Sequence, residues 1–252
     1  MTEILIRGAG LLGTSLGLAL SQTGAVVHLE DLDPKTVRTA EAMGAGSAQP
    51  CPEPDIVFVA VPPDQIAAEV DAALRRFPRA TVSDVGSVKS EPIAALRDSG
   101  ADLSRYVGGH PMAGREISGA AAGRGDLFED RPWILTPIAE TDATRLAEIT
   151  GFAESLHAVV RMMDPDEHDR AVALCSHAPQ VVASLLAGQL LGASAADVSV
   201  AGPGVRDTTR IAASDPVLWA QILLANADHV EVYLDQFAAD VEADQSAEIS
   251  RM

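Results

Sequence analysis

The first legible chemistry in the chain is a set of three spaced glycines. Gly8-Ala9-Gly10-Leu11-Leu12-Gly13 follows the apolar run EILIR and opens the helical pattern LLGTSLGLALSQ. In a G-x-G-x-x-G turn, Gly8 permits the tight bend, Gly10 lets a pyrophosphate approach the backbone, and Gly13 packs helix on strand. The helix N-terminus, including Leu11 and Leu12, then faces the phosphates of a dinucleotide. Taken alone, the spacing also fits an ordinary tight turn. Context favours the ligand reading, because the acidic pair Glu30-Asp31 closes the next apolar run, with Asp31 eighteen residues past Gly13. A carboxylate there accepts hydrogen bonds from ribose hydroxyls and repels a 2′-phosphate, so NAD is expected rather than NADP. Asp31 is the first choice for this role and Glu30 the alternative. Val61 and Pro62, at the end of a third apolar run, suit a backbone wall beside the cofactor, although a plain strand-end turn explains them equally well.

Three further segments combine glycine with ionisable groups: SDVGSVK from Ser83, GGHPMAGRE from Gly108, and GPGVRDTTRIAASDP from Gly202. The first two follow strand-like runs, and ligands bind at the carboxyl ends of parallel strands. Of the six histidines, His110 is therefore the candidate proton acceptor for a hydroxyl that loses hydride, with Ser87 beside it. His28, His157 and His229 lie in strand or helix contexts and read as structural. His168, Cys175 and His177 have no zinc-type spacing, so no metal is expected, and His177 reads as a pocket hydrogen-bonder. Residues 164–252 hold only four cations, Arg170, Arg206, Arg210 and Arg251, against fourteen acids. Arg206 and Arg210, at i and i+4, share a helical face suited to an anionic substrate, with Asp207 placed to orient one of them. A bland surface ion pair is the competing reading for both.

The elements that must position these residues alternate. Strand patterns at residues 3–7, 25–30, 55–61 and 80–85 are separated by helical patterns at about 11–22, 34–43 and 64–77, with further strands at 105–108, 132–135 and 158–162. Continuous apolar strands between helices indicate an α/β fold with a parallel sheet covered on both faces. From Asp164 the texture becomes Ala/Leu/Val helices broken by glycine and proline turns. Two domains follow: 1–163, dinucleotide-binding, and 164–252, helical.

Composition restricts partners. A formal charge of −18 and 4% aromatics lack the footprint of a nucleic-acid binder, and an anionic substrate must be held by local cations. The apolar stretch Val181–Ala193 reads as a buried helix, too short for a bilayer, so no membrane span is expected. Two distant cysteines and no signal-like start point to the cytoplasm.

Together the segments GAGLLGTS, DVGSVK, GGHPMAGRE, DLFEDRPWILTP, HD followed by SHAPQ, and GVRDTTRIAASDPVLW resemble, in order, the prephenate/arogenate dehydrogenase family, the oxidative decarboxylases of tyrosine biosynthesis. The resemblance implies a Rossmann-type domain followed by an all-α dimerisation domain, hence a homodimer. It implies that His110 takes the proton of the ring hydroxyl and Ser87 orients it, while hydride passes to NAD⁺ and the ring carboxylate leaves as CO₂. Arg210 matches the family's carboxylate-binding arginine, and His177 and Trp219 match other pocket positions, although Trp219 also reads as a core aromatic. Lys89 and Arg115 add positive potential. Arg7 stands where the family generally has an apolar residue. Glu116 would pair with the amino group of arogenate, whereas prephenate offers a keto group there, so the choice between the two substrates stays open. A β-hydroxyacid dehydrogenase is disfavoured because Lys35 and Lys89 are the only lysines and neither lies in the helical half. A non-catalytic NAD-sensing module leaves Ser87, His110 and Arg210 unexplained.

Overall fold

The structure, a computed structural model, describes residues 1–115 and 117–243. The chain divides into two compact units, Met1–His168 and Asp169–Met252.

The first unit is built on one seven-stranded sheet. Its strands are β1 (Glu3–Arg7), β2 (Val26–Glu30), β3 (Ile56–Val59), β4 (Thr81–Asp84), β5 (Tyr106–Pro111), β6 (Pro132–Thr136) and β7 (Val159–Met162), in the order β2-β1-β3-β4-β5-β6-β7. The first five strands are parallel, as continuous apolar runs require when both faces are covered. β5 and β6 pair antiparallel, which the strand-by-strand reading did not anticipate. The reason is the connection: among the described residues it holds no crossover helix, which would be needed to return a strand in parallel, and a 3₁₀ turn at Ala120–Ala122 is the helical element it contains. Helices α1 (Leu11–Gln22), α2 (Pro34–Ala42), α3 (Pro63–Arg76), α4 (Ser90–Asp98) and α5 (Ala143–Ser155) complete the unit; α4 and α5 were not recognised as separate helices from the sequence.

The sheet divides the core in two. Ile4, Ile6, Leu16, Leu20 and Phe58 pack on one face, and Leu5, Val57, Val59, Ile66 and Val70 on the other. The order β2-β1-β3 places the topological switch point of this Rossmann-type fold between β1 and β3, where ligands bind in open α/β sheets.

The second unit is helical. A helical run, Pro165–Leu191, contains α6 (Pro165–Val172), a π-helical turn at Ala173–His177, and α7 (Ala178–Leu191); α8 (Ala195–Ser199), α9 (Pro203–Thr209), α10 (Pro216–Ala225) and α11 (Ala227–Glu242) follow. The run is long and apolar enough, by length and composition, to cross a membrane, so length does not support the expectation of no span. Its first turns carry Asp166, Glu167, Asp169 and Arg170. α7 is also not the buried helix expected: Leu185 is 63% and Leu191 90% exposed. Apolar residues recur all round α7, and the rest of the unit covers only part of them.

Candidate active site

The glycine turn is shaped by contacts that admit no side chain. Gly8 has φ +96°, and a Cβ there would stand 2.3 Å from the Ala60 carbonyl oxygen; at Gly13 it would stand 1.8 Å from the Gly8 oxygen. At Gly10 it would meet nothing within 4 Å, so the turn opens to solvent where a phosphate would approach. No side chain caps α1, and its first turn carries no acid, which leaves the positive helix end suited to an anion. Val61 and Pro62 border this turn at the end of β3, where Val61 Cγ1 would lie 3.1 Å from a Cβ on Gly8.

The two acids after β2 are used differently. Glu30 is ion-paired with Arg7 (3.5 Å) and Arg76 (3.2 Å), and Arg7 also holds Glu69 at 2.8 Å. The unusual arginine at the end of β1 is thus accommodated by carboxylates. Asp31 accepts the Ala9 N–H at 2.7 Å and the Asp33 N–H at 2.8 Å, which fixes its carboxylate against the glycine turn.

At the ends of β4 and β5 lies a buried polar network. Asp84 is fully buried; its Oδ1 accepts from the Tyr106 hydroxyl (2.7 Å) and the Gly109 N–H (3.3 Å), and its Oδ2 from the Gly86 N–H (2.9 Å) and the Lys89 ammonium. Burial, and then the Asp84 charge, push the Tyr106 phenol well above its ordinary pKa. Lys89 is 1% exposed. Its charge is offset by Asp84 rather than offered to solvent, contrary to its reading as a general source of positive potential.

His110, the fifth residue of β5, is 7% exposed. Its Nδ1 lies 2.8 Å from Nε2 of the fully buried His168, with the rings edge to face. One ring donates and the other accepts in this contact. Ser87 is half-buried in the turn after β4. The His168 partnership was missed because His168 had been weighed only as a metal ligand; its sequence signal is a histidine-aspartate pair near the start of a helix. Arg115 donates to the Ala122 carbonyl at 3.0 Å. Glu116 lies outside the described residues.

In the helical unit, His177 is 1% exposed within the π-helical turn. Asn226 Nδ2 donates to the Asp169 carbonyl (2.8 Å) and contacts His177 Nδ1 at 3.0 Å. Because that nitrogen is a donor, His177 Nδ1 accepts and Nε2 carries the hydrogen. Trp219, half-buried on α10, meets the His177 ring edge to face at 6.0 Å between centroids. Arg206 lies on α9, whereas Arg210 opens the 3₁₀ turn that follows it. Both are exposed, and Asp207 forms no ion pair with Arg206.

Two family models match in sequence order. The nucleotide-binding domain of prephenate dehydrogenase matches residues 16–162, and its dimerization domain matches residues 164–249. A probable prephenate dehydrogenase, NovF, from Streptomyces niveus is 37% identical over 96% of this chain and 67% of its own length. The cyclohexadienyl dehydrogenase of Zymomonas mobilis is 34% identical over 95% of this chain and 86% of its own length. Among solved structures, prephenate dehydrogenase from Aquifex aeolicus, in complex with hydroxyphenyl propionate and NAD⁺, superposes with a TM-score of 0.88 at 30% identity, covering 100% of this chain and 92% of that one. With both halves matched in order and relatives alike along nearly its whole length, the chain belongs to the prephenate dehydrogenase family.

Proposed function

We propose that this protein is an NAD-dependent prephenate dehydrogenase, converting prephenate to 4-hydroxyphenylpyruvate and CO₂ in tyrosine biosynthesis. The observation that carries the reading is His110: a buried imidazole at the carboxyl edge of the sheet that bears the glycine turn, held in orientation by a second buried imidazole.

The residues present fit the cofactor. Gly10 leaves open space, the uncapped start of α1 offers the backbone N–H groups of Leu11 and Leu12 to a pyrophosphate, and Asp31 retains lone pairs for ribose hydroxyls. The carboxylates of Glu30 and Asp31 disfavour the 2′-phosphate of NADP. Bound NAD⁺ supplies the hydride acceptor.

The protein's own part is proton transfer and binding. As hydride leaves the ring carbon that carries the hydroxyl, His110 takes the hydroxyl proton, and His168 shares the charge that develops on the ring. The bond between the ring and its carboxylate breaks, CO₂ leaves, the electron pair completes the aromatic ring, and His110 returns the proton to the ring oxygen, which leaves as the phenol hydroxyl. Ser87 stands in the turn after β4 to orient the hydroxyl. Arg210, aided by Arg206, supplies the cation that a dianionic substrate needs, His177 offers an N–H, and Trp219 an aromatic face.

The protein acts as a homodimer through its helical unit; the exposed Leu185, Leu191, Leu224 and Phe237 are surface for a second copy to cover. Light scattering checks this, and a monomer would overturn it. Both cysteines are free, as suits the reducing cytoplasm. NADH absorbance, followed in parallel with prephenate and with arogenate, tests the substrate. Higher kcat/KM with prephenate is expected; a preference for arogenate would reassign the substrate, and activity with neither would overturn the enzymatic reading.

A further inference from the structure

Far along β2 from the glycine turn, three side chains from separate segments converge. Glu3 opens β1, His28 lies at the centre of β2, and Cys51 belongs to the connection between α2 and β3. Glu3 and Leu5 point to the same face of the sheet, and Leu5 pairs with His28 across the two strands, so Glu3 and His28 are diagonal neighbours. Their potential ligand atoms and the Cys51 sulfur all lie within 4.8 Å of one another. Among the described residues this is the one such convergence of three histidine, cysteine or acidic groups.

The histidine is bonded in a way that calls for a cation. Its Nδ1 lies 2.9 Å from the Gln49 carbonyl oxygen; a carbonyl only accepts, so Nδ1 carries the hydrogen. Its Nε2 lies 2.8 Å from Glu3 Oε2, a second acceptor. Two lone pairs cannot face each other at that distance, so a positive centre belongs between them, either a proton or a metal ion. A histidine that donates one ring nitrogen to a backbone carbonyl while presenting the other is the usual form of a metal-bound imidazole. Cys51 is 2% exposed; burial, and then the Glu3 carboxylate, push its thiol up, so the sulfur would give up its proton only as the ion binds, and the same carboxylate attracts a cation. Glu3 is 42% exposed and gives access from solvent.

We propose that Glu3, His28 and Cys51 form a binding site for a divalent transition metal of the zinc class, with water as fourth ligand. Sulfur and imidazole ligands select zinc or cobalt over magnesium and calcium. With ligand bonds of about 2.0–2.3 Å in a tetrahedral site, the 2.8 Å contact between Nε2 and Oε2 would open slightly, while the wider separations, up to 4.8 Å, would close. The ion joins the start of β1, the edge strand β2 and the connection before β3. Sequence spacing concealed the site, because its ligands are separated by 25 and 23 residues and only strand pairing unites them. The cluster lies outside the residues assigned to the reaction, so the inference stands apart from the proposed activity.

Cobalt(II) added to tag-free, metal-stripped, reduced protein is the direct probe, since a thiolate–cobalt bond gives a near-ultraviolet charge-transfer band. One equivalent of cobalt is expected to produce the band, zinc to abolish it, and excess magnesium to leave it unchanged. Cys51→Ser should eliminate the band while Cys175→Ser retains it. Glu3→Gln, at a partly exposed position, should weaken cobalt binding at least tenfold without unfolding the protein. Absence of the band at one equivalent, or its survival in Cys51→Ser, would overturn the site and leave a proton-bridged His28–Glu3 ion pair. Unchanged cobalt affinity in folded Glu3→Gln would equally overturn the three-ligand assignment.

Discussion

The two units satisfy their polar groups differently. In the first, Asp84, Lys89, His110 and His168 are all buried, and each bond among them is made within the unit. In the second, His177 and Asn226 form a similar buried pair, but Arg206, Arg210 and several large apolar residues face outward. A buried charge must be compensated when the chain folds, whereas an exposed guanidinium keeps its hydration until a ligand replaces it. The first unit therefore holds these polar groups preorganised within its core. The second exposes Arg206, Arg210 and large apolar side chains, which under the proposed function are surface for substrate and a second copy to cover.

The sharpest way to break this contrast is to remove its central members. His110→Ala should lower kcat by about 10²–10⁴, while NAD affinity, read by fluorescence titration, stays nearly unchanged. Undiminished turnover would remove His110 from the chemistry. Arg210→Ala should raise the substrate dissociation constant by an amount equivalent to about 2–5 kcal/mol if its partner carboxylate is desolvated in the complex. A loss below about 1 kcal/mol would place Arg210 at a solvated rim, and the contrast would fail on the helical side.

How far these parts were legible in the sequence follows the same division. The glycine turn and the strand runs were readable because steric demands act locally: Gly8 needs positive φ, and a strand buried on both faces must be apolar throughout. The candidate proton acceptor was readable from its nearness to a strand's carboxyl end, although β5 runs on through it to Pro111 where the sequence pattern ended the strand at 108. Its partner was not, because His110 and His168 are 58 residues apart and meet only through the sheet. Asp84 appeared as one polar residue in a dense motif, with nothing local to mark it as the acceptor that unites Tyr106, Gly109 and Lys89. The exposure of α7 was misread for a related reason. Composition reports that a helix is apolar, not whether the surface covering it belongs to the same chain.

Two smaller effects separate catalytic from positioning roles. Asp31→Asn should weaken NAD binding by about 1.5–3 kcal/mol, the scale of a hydrogen bond to a charged group, and narrow the preference over NADP. An unchanged cofactor ratio would shift the role to Glu30, despite its pairing with Arg7 and Arg76. His168→Gln preserves a hydrogen-bonding side chain but removes a titratable ring. Its kcat should fall about tenfold and the acidic limb of the pH–rate profile should move; a fall without that movement would mark His168 as structural only.

The smallest effect concerns stability. Tyr106→Phe removes one of the donors to Asp84 while filling the same space, so it should cost about 1.5 kcal/mol at neutral pH, measured by urea unfolding. The pH dependence distinguishes this hydrogen bond from packing. In the folded protein, burial and Asp84 hold the phenol protonated above its usual range, whereas the unfolded phenol ionises near about pH 10. Above that pH the folded state binds the extra proton, so stability falls as pH rises, by up to about 1.4 kcal/mol per unit. The phenylalanine variant lacks this term. The advantage of the native protein over it should therefore be full below about pH 10 and shrink above; a difference constant with pH would mean that Tyr106 contributes shape alone, and that the buried network of the first unit is held by Lys89 and backbone donors without it.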